Sequence, residues 1–259
     1  MLPMNILLVR HGESEANKLV ALTRAGDDSL YTEAVEGRAD GAWRLTAKGR
    51  EQARAIGEQW VMKHYRSANF VVSPYARALE TAGLLGLPES VEWEILRCIR
   101  EGSWGDISTI PRSAVKAEYA RNWKNRHTDK LHWTPPSGES ILGLSEGRVE
   151  LFMEYLRKSE YESLVAVTHS MFMEAFAINA ERWTDADYYA RHQSSEFLLN
   201  NCSAVEYRTN GVEFVAARRI HLQDGCDEPR VTPWRYLSDN NYSSSQLLTL
   251  AAEHEVFFE

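Results

Sequence analysis

Three short apolar runs constrain this chain more than anything else in it: Ile6-Leu7-Leu8-Val9, Phe70-Val71-Val72 and Leu164-Val165-Ala166-Val167, each ending in a polar turn that opens a helical pattern. Runs of this length are too short to cross a membrane, and being apolar on both faces they suit strands inside a parallel sheet. The strand, turn, helix alternation predicts an α/β fold: a doubly wound, mostly parallel sheet flanked by helices in three α/β/α layers. Cys202 to Tyr207 and Val212 to Ile220 flank Asn210-Gly211, which adds a C-terminal hairpin at one sheet edge. Val91 to Ile95 alternates and reads as a less buried, edge-type strand.

Helix starts are marked by small hydroxyl residues. Ser14 can cap a helix with Glu15 in its first turn, Thr46 caps Ala47 to about His64, and Ser140 opens a stripe through Leu144, Val149, Phe152 and Leu156. Ser73-Pro74 reads as a capping hydroxyl followed by proline at the first helical position. Gly49, in the first turn after Thr46, costs about 1 kcal/mol against alanine, which implies close packing there. Thr23 to Arg44 is a long polar segment of the kind that is usually functional or mobile. Residues 100–106 are too dense in glycine and charge for a helix.

Open α/β sheets bind ligands at the carboxyl ends of their strands. There the first run delivers Arg10-His11, the third delivers His169-Ser170, and Arg77 lies one turn inside the helix that follows the second. A guanidinium grips phosphate oxygens in a fork, and neutral imidazole is a nucleophile near neutral pH, so the pair suits a phosphoryl group.

A formal net charge of -8 argues against general affinity for nucleic acid or anionic membrane, so an anionic ligand needs a local basic pocket. Cys98, Cys202 and Cys226 are odd in number and in no metal-like spacing, which fits a reducing cytosol. The N-terminus has no signal-peptide pattern, and no segment reaches transmembrane length, so a cytoplasmic location is expected. Between Pro111 and His132 six cations face two acids, a basic stretch that suits either a solvated helix or an anion clamp. After His221 an acidic, serine-rich tail leads to Leu247-Leu248 and on to Phe258. It either packs back through a short helix or mediates a contact.

Six further strings carry a family resemblance: Leu8-Val9-Arg10-His11-Gly12-Glu13-Ser14 with Asn17; Leu45-Thr46-Ala47-Lys48-Gly49 with Gln52-Ala53; Ser73 through Ala82; Glu101 with Trp104-Gly105; Pro136 through Ser140; and Thr168-His169-Ser170. In this order they resemble the histidine phosphatase superfamily, in its phosphoglycerate mutase-like branch, over roughly residues 5–207. The resemblance implies that His11 attacks phosphorus and becomes a phosphohistidine, that Arg10, Arg77 and His169 hold the phosphoryl oxygens, and that Glu101 protonates the leaving group and then activates water. Ser14, Asn17, Trp104 and the backbone N–H of Ser170 are implied substrate contacts. No metal or cofactor is expected, and the partner is a small phosphorylated substrate, with a homo-oligomer possible. Residues 1–221 would form the α/β domain with 112–140 as a specificity cap, and 222–259 the tail.

Departures from the mutases point to hydrolysis. Their acid is followed by Arg-His-Tyr, whereas here Glu101 is followed by Gly102-Ser103-Trp104, and the only adjacent arginine pair, Arg218-Arg219, lies outside the cap. Ser170 stands where the acid-phosphatase branch has aspartate. The expected function is a metal-independent phosphomonoesterase, with mutase-type transfer and a catalytically idle phospho-ligand binding module as the alternatives. A dinucleotide binder is disfavoured because the first turn lacks spaced glycines.

Overall fold

The computed structural model describes residues 1–32, 35, 37–193, 199–221 and 241–252. Among these, seven strands form one sheet: β1 (Asn5–Arg10), β2 (Asn69–Val72), β3 (Glu92–Ile95), β4 (Ser163–Thr168), β5 (Ala204–Thr209), β6 (Phe214–Ile220) and β7 (Asn241–Ser243). Their order is β6-β5-β1-β4-β2-β3-β7. The four inner strands β1, β4, β2 and β3 are parallel, while β5, β6 and β7 join antiparallel. Ile6 pairs with Leu164 and Val9 with Val167, so two of the apolar runs lie side by side in register.

The uniform hydrophobicity of those runs has a direct cause. Ile6 and Leu8 face one core with Phe152, Phe172 and Phe176, whereas Leu7 and Val9 face the other with Ile56, Leu79 and Leu85. A strand covered on both faces cannot alternate. The first layer is built from α6 (Ile141–Leu144, continuing through a π-helical stretch Ser145–Val149 to Glu150–Lys158), α7 (Ser170–Ala180) and α8 (Asp185–Gln193). The second holds α2 (Ala47–Ile56, then a π-helical stretch Gly57–Val61 and Met62–His64), α3 (Ala76–Gly83) and α9 (Ser244–Ala252). Two more helices, α4 (Arg112–Glu118) and α5 (Ala120–Thr128), and the first helix α1 (Glu15–Ala25) stand at the carboxyl ends of the strands. No helix of the described residues is long and apolar enough to cross a membrane.

Three expected caps form. The Thr46 hydroxyl accepts from the Gly49 N–H at 3.1 Å, Ser140 from Gly143 at 3.0 Å, and Ser14 shares a reciprocal capping box with Asn17. The fourth does not: Pro74 is not the first helical residue, α3 begins at Ala76 with Tyr75 at its N-cap and no side-chain cap, and Ser73 lies upstream, its Oγ accepting from the Tyr75 N–H at 3.4 Å and meeting His169 Nε2 at 2.7 Å. β3 is also not an edge: β7 pairs along its outer side, and Trp93 is fully buried beneath it, its indole N–H reaching Ser244 Oγ at 3.4 Å. The alternation that suggested an edge has another origin, since Glu94 accepts a 2.5 Å hydrogen bond from the Tyr155 hydroxyl. α9 then packs on α3, with Leu247 buried. Cys226 and the tail segments 222–240 and 253–259 lie outside the described residues.

Candidate active site

β1 hands His11 to the carboxyl edge of the sheet, its N–H still tied to the Thr168 carbonyl at 2.9 Å. The ring is buried, with Nδ1 at 2.7 Å from the Gly12 carbonyl. A carbonyl only accepts, so Nδ1 carries the proton and Nε2 keeps its lone pair. Burial, followed by the charges of Arg77 and Arg10, holds the imidazole pKa well below its ordinary 6.5. The neutral nucleophilic form is therefore the resting form.

His169 stands behind His11, at the head of α7, with ring centroids 5.0 Å apart. Burial and then Arg77 hold its pKa down as well. Its Nε2 meets Ser73, and its buried Nδ1 has no hydrogen-bond partner among the described residues. Buried polar atoms are rarely left unpaired, so an unpaired one beside a cavity is a candidate ligand contact. Arg10 is in the same condition: Nη1 donates to the Leu199 carbonyl, while the buried Nε has no partner.

Arg77, 3% exposed, projects from the first turn of α3. Its Nη1 donates to the Asp40 carbonyl at 2.5 Å, Nη2 lies 3.4 Å from the Asp40 carboxylate, and the guanidinium sits 4.8 Å from the centre of the Tyr75 ring. Glu101 is buried and accepts from the N–H groups of Gly102 and Met171, both at 3.1 Å, with Ser170 Oγ at 3.5 Å. Burial pushes its pKa above the ordinary carboxylate value against the pull of Arg77 and Arg10, and Asp40 adds to the rise. Arg148 fixes this loop by donating to the carbonyls of Cys98, Arg100 and Glu101 while pairing with Glu139 at 2.6 Å.

These groups converge on a cavity of about 460 Å³ whose walls include Arg10, His11, Ser14, Asn17, Arg77, Glu101, Trp104 and Ser170. A smaller one of about 180 Å³ adjoins it, sharing Glu101, Trp104 and Ser170. Every residue singled out from the sequence thus lies at one edge of the sheet, although His169 backs the cavity rather than lining it. Asn17 is held from both sides, its Oδ1 accepting from Ser14 N–H at 3.0 Å and Asn201 Nδ2 at 2.9 Å. The basic stretch divides: Lys116, Arg121 and Lys124 are exposed, whereas Arg112 and Arg126 line the cavity.

Several contributors escape the sequence reading. Asp40, Ser73, Tyr75, Arg148 and Asn201 act through distant partners, and only Ser73 and Tyr75 stood inside a motif already singled out. Glu15 is not merely a helix-start charge: it is buried, accepts from the Arg44 N–H at 3.0 Å and lies 3.4 Å from Arg38. Glu80 likewise accepts from Leu45 N–H at 2.9 Å and Arg44 Nη2 at 2.9 Å, anchoring the turn beside the site.

The family model of the histidine phosphatase superfamily (branch 1) matches residues 6–219. Among curated relatives, the chain is 27% identical over 171 residues to a 6-phosphofructo-2-kinase/fructose-2,6-bisphosphatase of Gallus gallus, covering 66% of this chain and 31% of that protein. The chain therefore spans about a third of the length of that relative. Among solved structures, the alpha-ribazole phosphatase of Shigella flexneri superposes with a TM-score of 0.63 at 21% identity, covering 82% of this chain and 95% of that one. The phosphoserine phosphatase of Entamoeba histolytica, in complex with 3-phosphoglyceric acid, gives a TM-score of 0.63 at 19% identity, covering 85% and 98%. At these identities the structural likeness establishes a shared fold.

Proposed function

This chain belongs to the histidine phosphatase superfamily (branch 1), and from that premise we propose that it is a histidine-dependent, metal-independent phosphomonoesterase working through a phosphohistidine at His11. The observation that carries the reading is the state of His11 itself: neutral, with Nδ1 fixed on the Gly12 carbonyl and Nε2 left to attack. The lone pair of Nε2 forms the N–P bond as the P–O bond to the leaving group breaks. Arg10 Nε and His169 Nδ1, both buried at this site without a partner among the described residues, together with Arg77, hold the three equatorial oxygens as charge builds on them. Glu101, whose pKa burial raises, serves as the acid that delivers a proton to the departing alkoxide. The resulting carboxylate takes a proton from water, whose oxygen attacks the phosphohistidine, releasing phosphate and restoring Glu101.

Ser14, Asn17, Trp104 and Ser170 line the substrate side in this reading, with residues 112–140 as the cap; the α/β domain does not stop at residue 221, because β7 completes its sheet and α9 its second helical layer. The substrate is a small phosphorylated metabolite of the cytoplasm. Assays of phosphate release from phosphorylated sugars, glycerates and nucleotides, run with chelator present, test it. Turnover is expected in wild type, with an acid-labile phosphoenzyme, and His11→Ala should lower kcat by at least about a thousandfold. Turnover that survives His11→Ala would refute the mechanism, and isomerisation of phosphoglycerate outpacing phosphate release would make the chain a mutase.

A further inference from the structure

The cavity over His11 runs well past the end where a phosphoryl group would sit. Asn17, Val20, Ala21 and Arg24 line it at helical i, i+3, i+4 and i+7 positions, so one face of α1 forms its floor. Seven residues at a rise of about 1.5 Å carry Arg24 roughly 10 Å along the helix from Asn17. At that far end α4 and α5 bring in Arg112 and Arg126, whose guanidiniums sit 5.2 and 4.9 Å from the centre of the Trp123 ring. Hydrogen bonds fix the meeting of these elements: Arg112 N–H donates to Thr23 Oγ1 at 3.1 Å, and Asp28 accepts from both Thr23 and Ser113 hydroxyls.

Among the described residues none of the three arginines has a carboxylate within ion-pair distance. Each is near enough to the others that, after burial, mutual repulsion weakens the proton affinity of Arg112 and Arg126. Without ion-pair partners among the described residues, and with Arg112 over Trp123 and Arg126 over Trp104, Trp123 and Trp133, the three guanidiniums make a cationic wall that an anion can join in a chain of net charge -8. The cavity lining includes the apolar Val20, Ala21, Ile107, Ile110 and Val115, with Thr23, Tyr31 and Ser108 beside them and the carboxylates of Glu13 and Asp40 also on its walls.

We propose that Arg24, Arg112 and Arg126 form a second anion subsite, and that the substrate is an elongated bis-anion. Its phosphomonoester sits at His11 and its other anionic group, phosphate or carboxylate, lies at the arginine end of the cavity, about 10 Å along α1 from Asn17, with an apolar body against Val20, Ile107, Ile110 and Val115. The inference rests on the phosphatase reading and narrows its substrate class. It disfavours compact esters whose two anionic groups are only a few atoms apart.

Binding to the His11→Ala protein tests the subsite without turnover, by titration calorimetry with hexanediol bisphosphate, hexyl phosphate and propanediol bisphosphate. Hexanediol bisphosphate should bind at least about tenfold more tightly than either of the others, since charge-assisted arginine contacts are among the stronger polar interactions. Arg24→Gln/Arg112→Gln, made in the same background, should shrink that preference to about the twofold expected of a ligand with two equivalent ends. Equal affinities for the three ligands, a gain as large with propanediol bisphosphate, or a preference that survives the double substitution would overturn the subsite. The comparison among ligands in the parent protein stands even if the double variant fails to fold. Phosphate release from hexyl phosphate by wild type checks the phosphatase reading separately, because that ester has no second anion.

Discussion

One proton decides the character of His11. With Nδ1–H spent on the Gly12 carbonyl, only the Nε2 lone pair is available for chemistry, and burial among arginines keeps it unprotonated below the usual imidazole range. Glu101 is displaced the opposite way, so base and acid can coexist. The sign follows for the pH profile of kcat/KM. Activity requires neutral His11, so it falls as pH drops through a pKa lower than 6.5; it also requires protonated Glu101, so it falls as pH rises through a pKa above 4.5. Glu101→Gln should lose the alkaline limb and lower kcat by about 10²- to 10⁴-fold for poor leaving groups. An unchanged alkaline limb in that variant would assign the titration to another group. The residue types were legible in sequence because strand ends carry ligands. Proton positions and pKa directions were not, since they depend on Gly12, Ser73 and the packing around them.

At the scale of elements, the β1–α1 turn and the start of α2 lie backbone against backbone. A Cβ on Gly12 would stand 2.3 Å from the Gly49 carbonyl oxygen, and one on Gly49 would stand 2.0 Å from that of Glu13. Neither neighbour is a flexible side chain, so the contact leaves no room for relief. Gly49→Ala should therefore cost about 2–3 kcal/mol of stability in denaturant unfolding, despite alanine's better helix propensity. It should also reduce turnover, because the turn it displaces carries His11 and Glu13; a stabilised variant with full activity would contradict this. Gly49 was conspicuous in sequence as a misplaced helix residue. Thr46, Ser140 and Ser14 could be read as caps because their partners lie three residues away, whereas Ser73 misled because the helix starts only at Ala76 and its hydroxyl meets His169, almost a hundred positions away. Arg24 carried no signal of its own, since its neighbours Arg112 and Arg126 come from another part of the chain.

On the scale of the whole molecule, the apolar runs made the parallel centre of the sheet legible, and Asn210-Gly211 marked its hairpin. β7 was hidden, being three residues long and paired with β3 from about 150 positions away, as Glu92 opposite Ser243 shows. The same long reach governs the site. His11 meets His169 across the β1–β4 pairing, touches Cys202 through its carbonyl at 3.2 Å, and needs Arg77 from the helix after β2. No local fragment can hold any two of these in place, so catalysis should be among the last properties recovered on refolding, and the slow closure of non-local strands should set its rate. In a urea titration, phosphatase activity is expected to vanish no later than tryptophan fluorescence reports global unfolding. Activity persisting beyond that transition would show a site that survives without the sheet. Phosphate release is, on this architecture, a clock for the completion of folding.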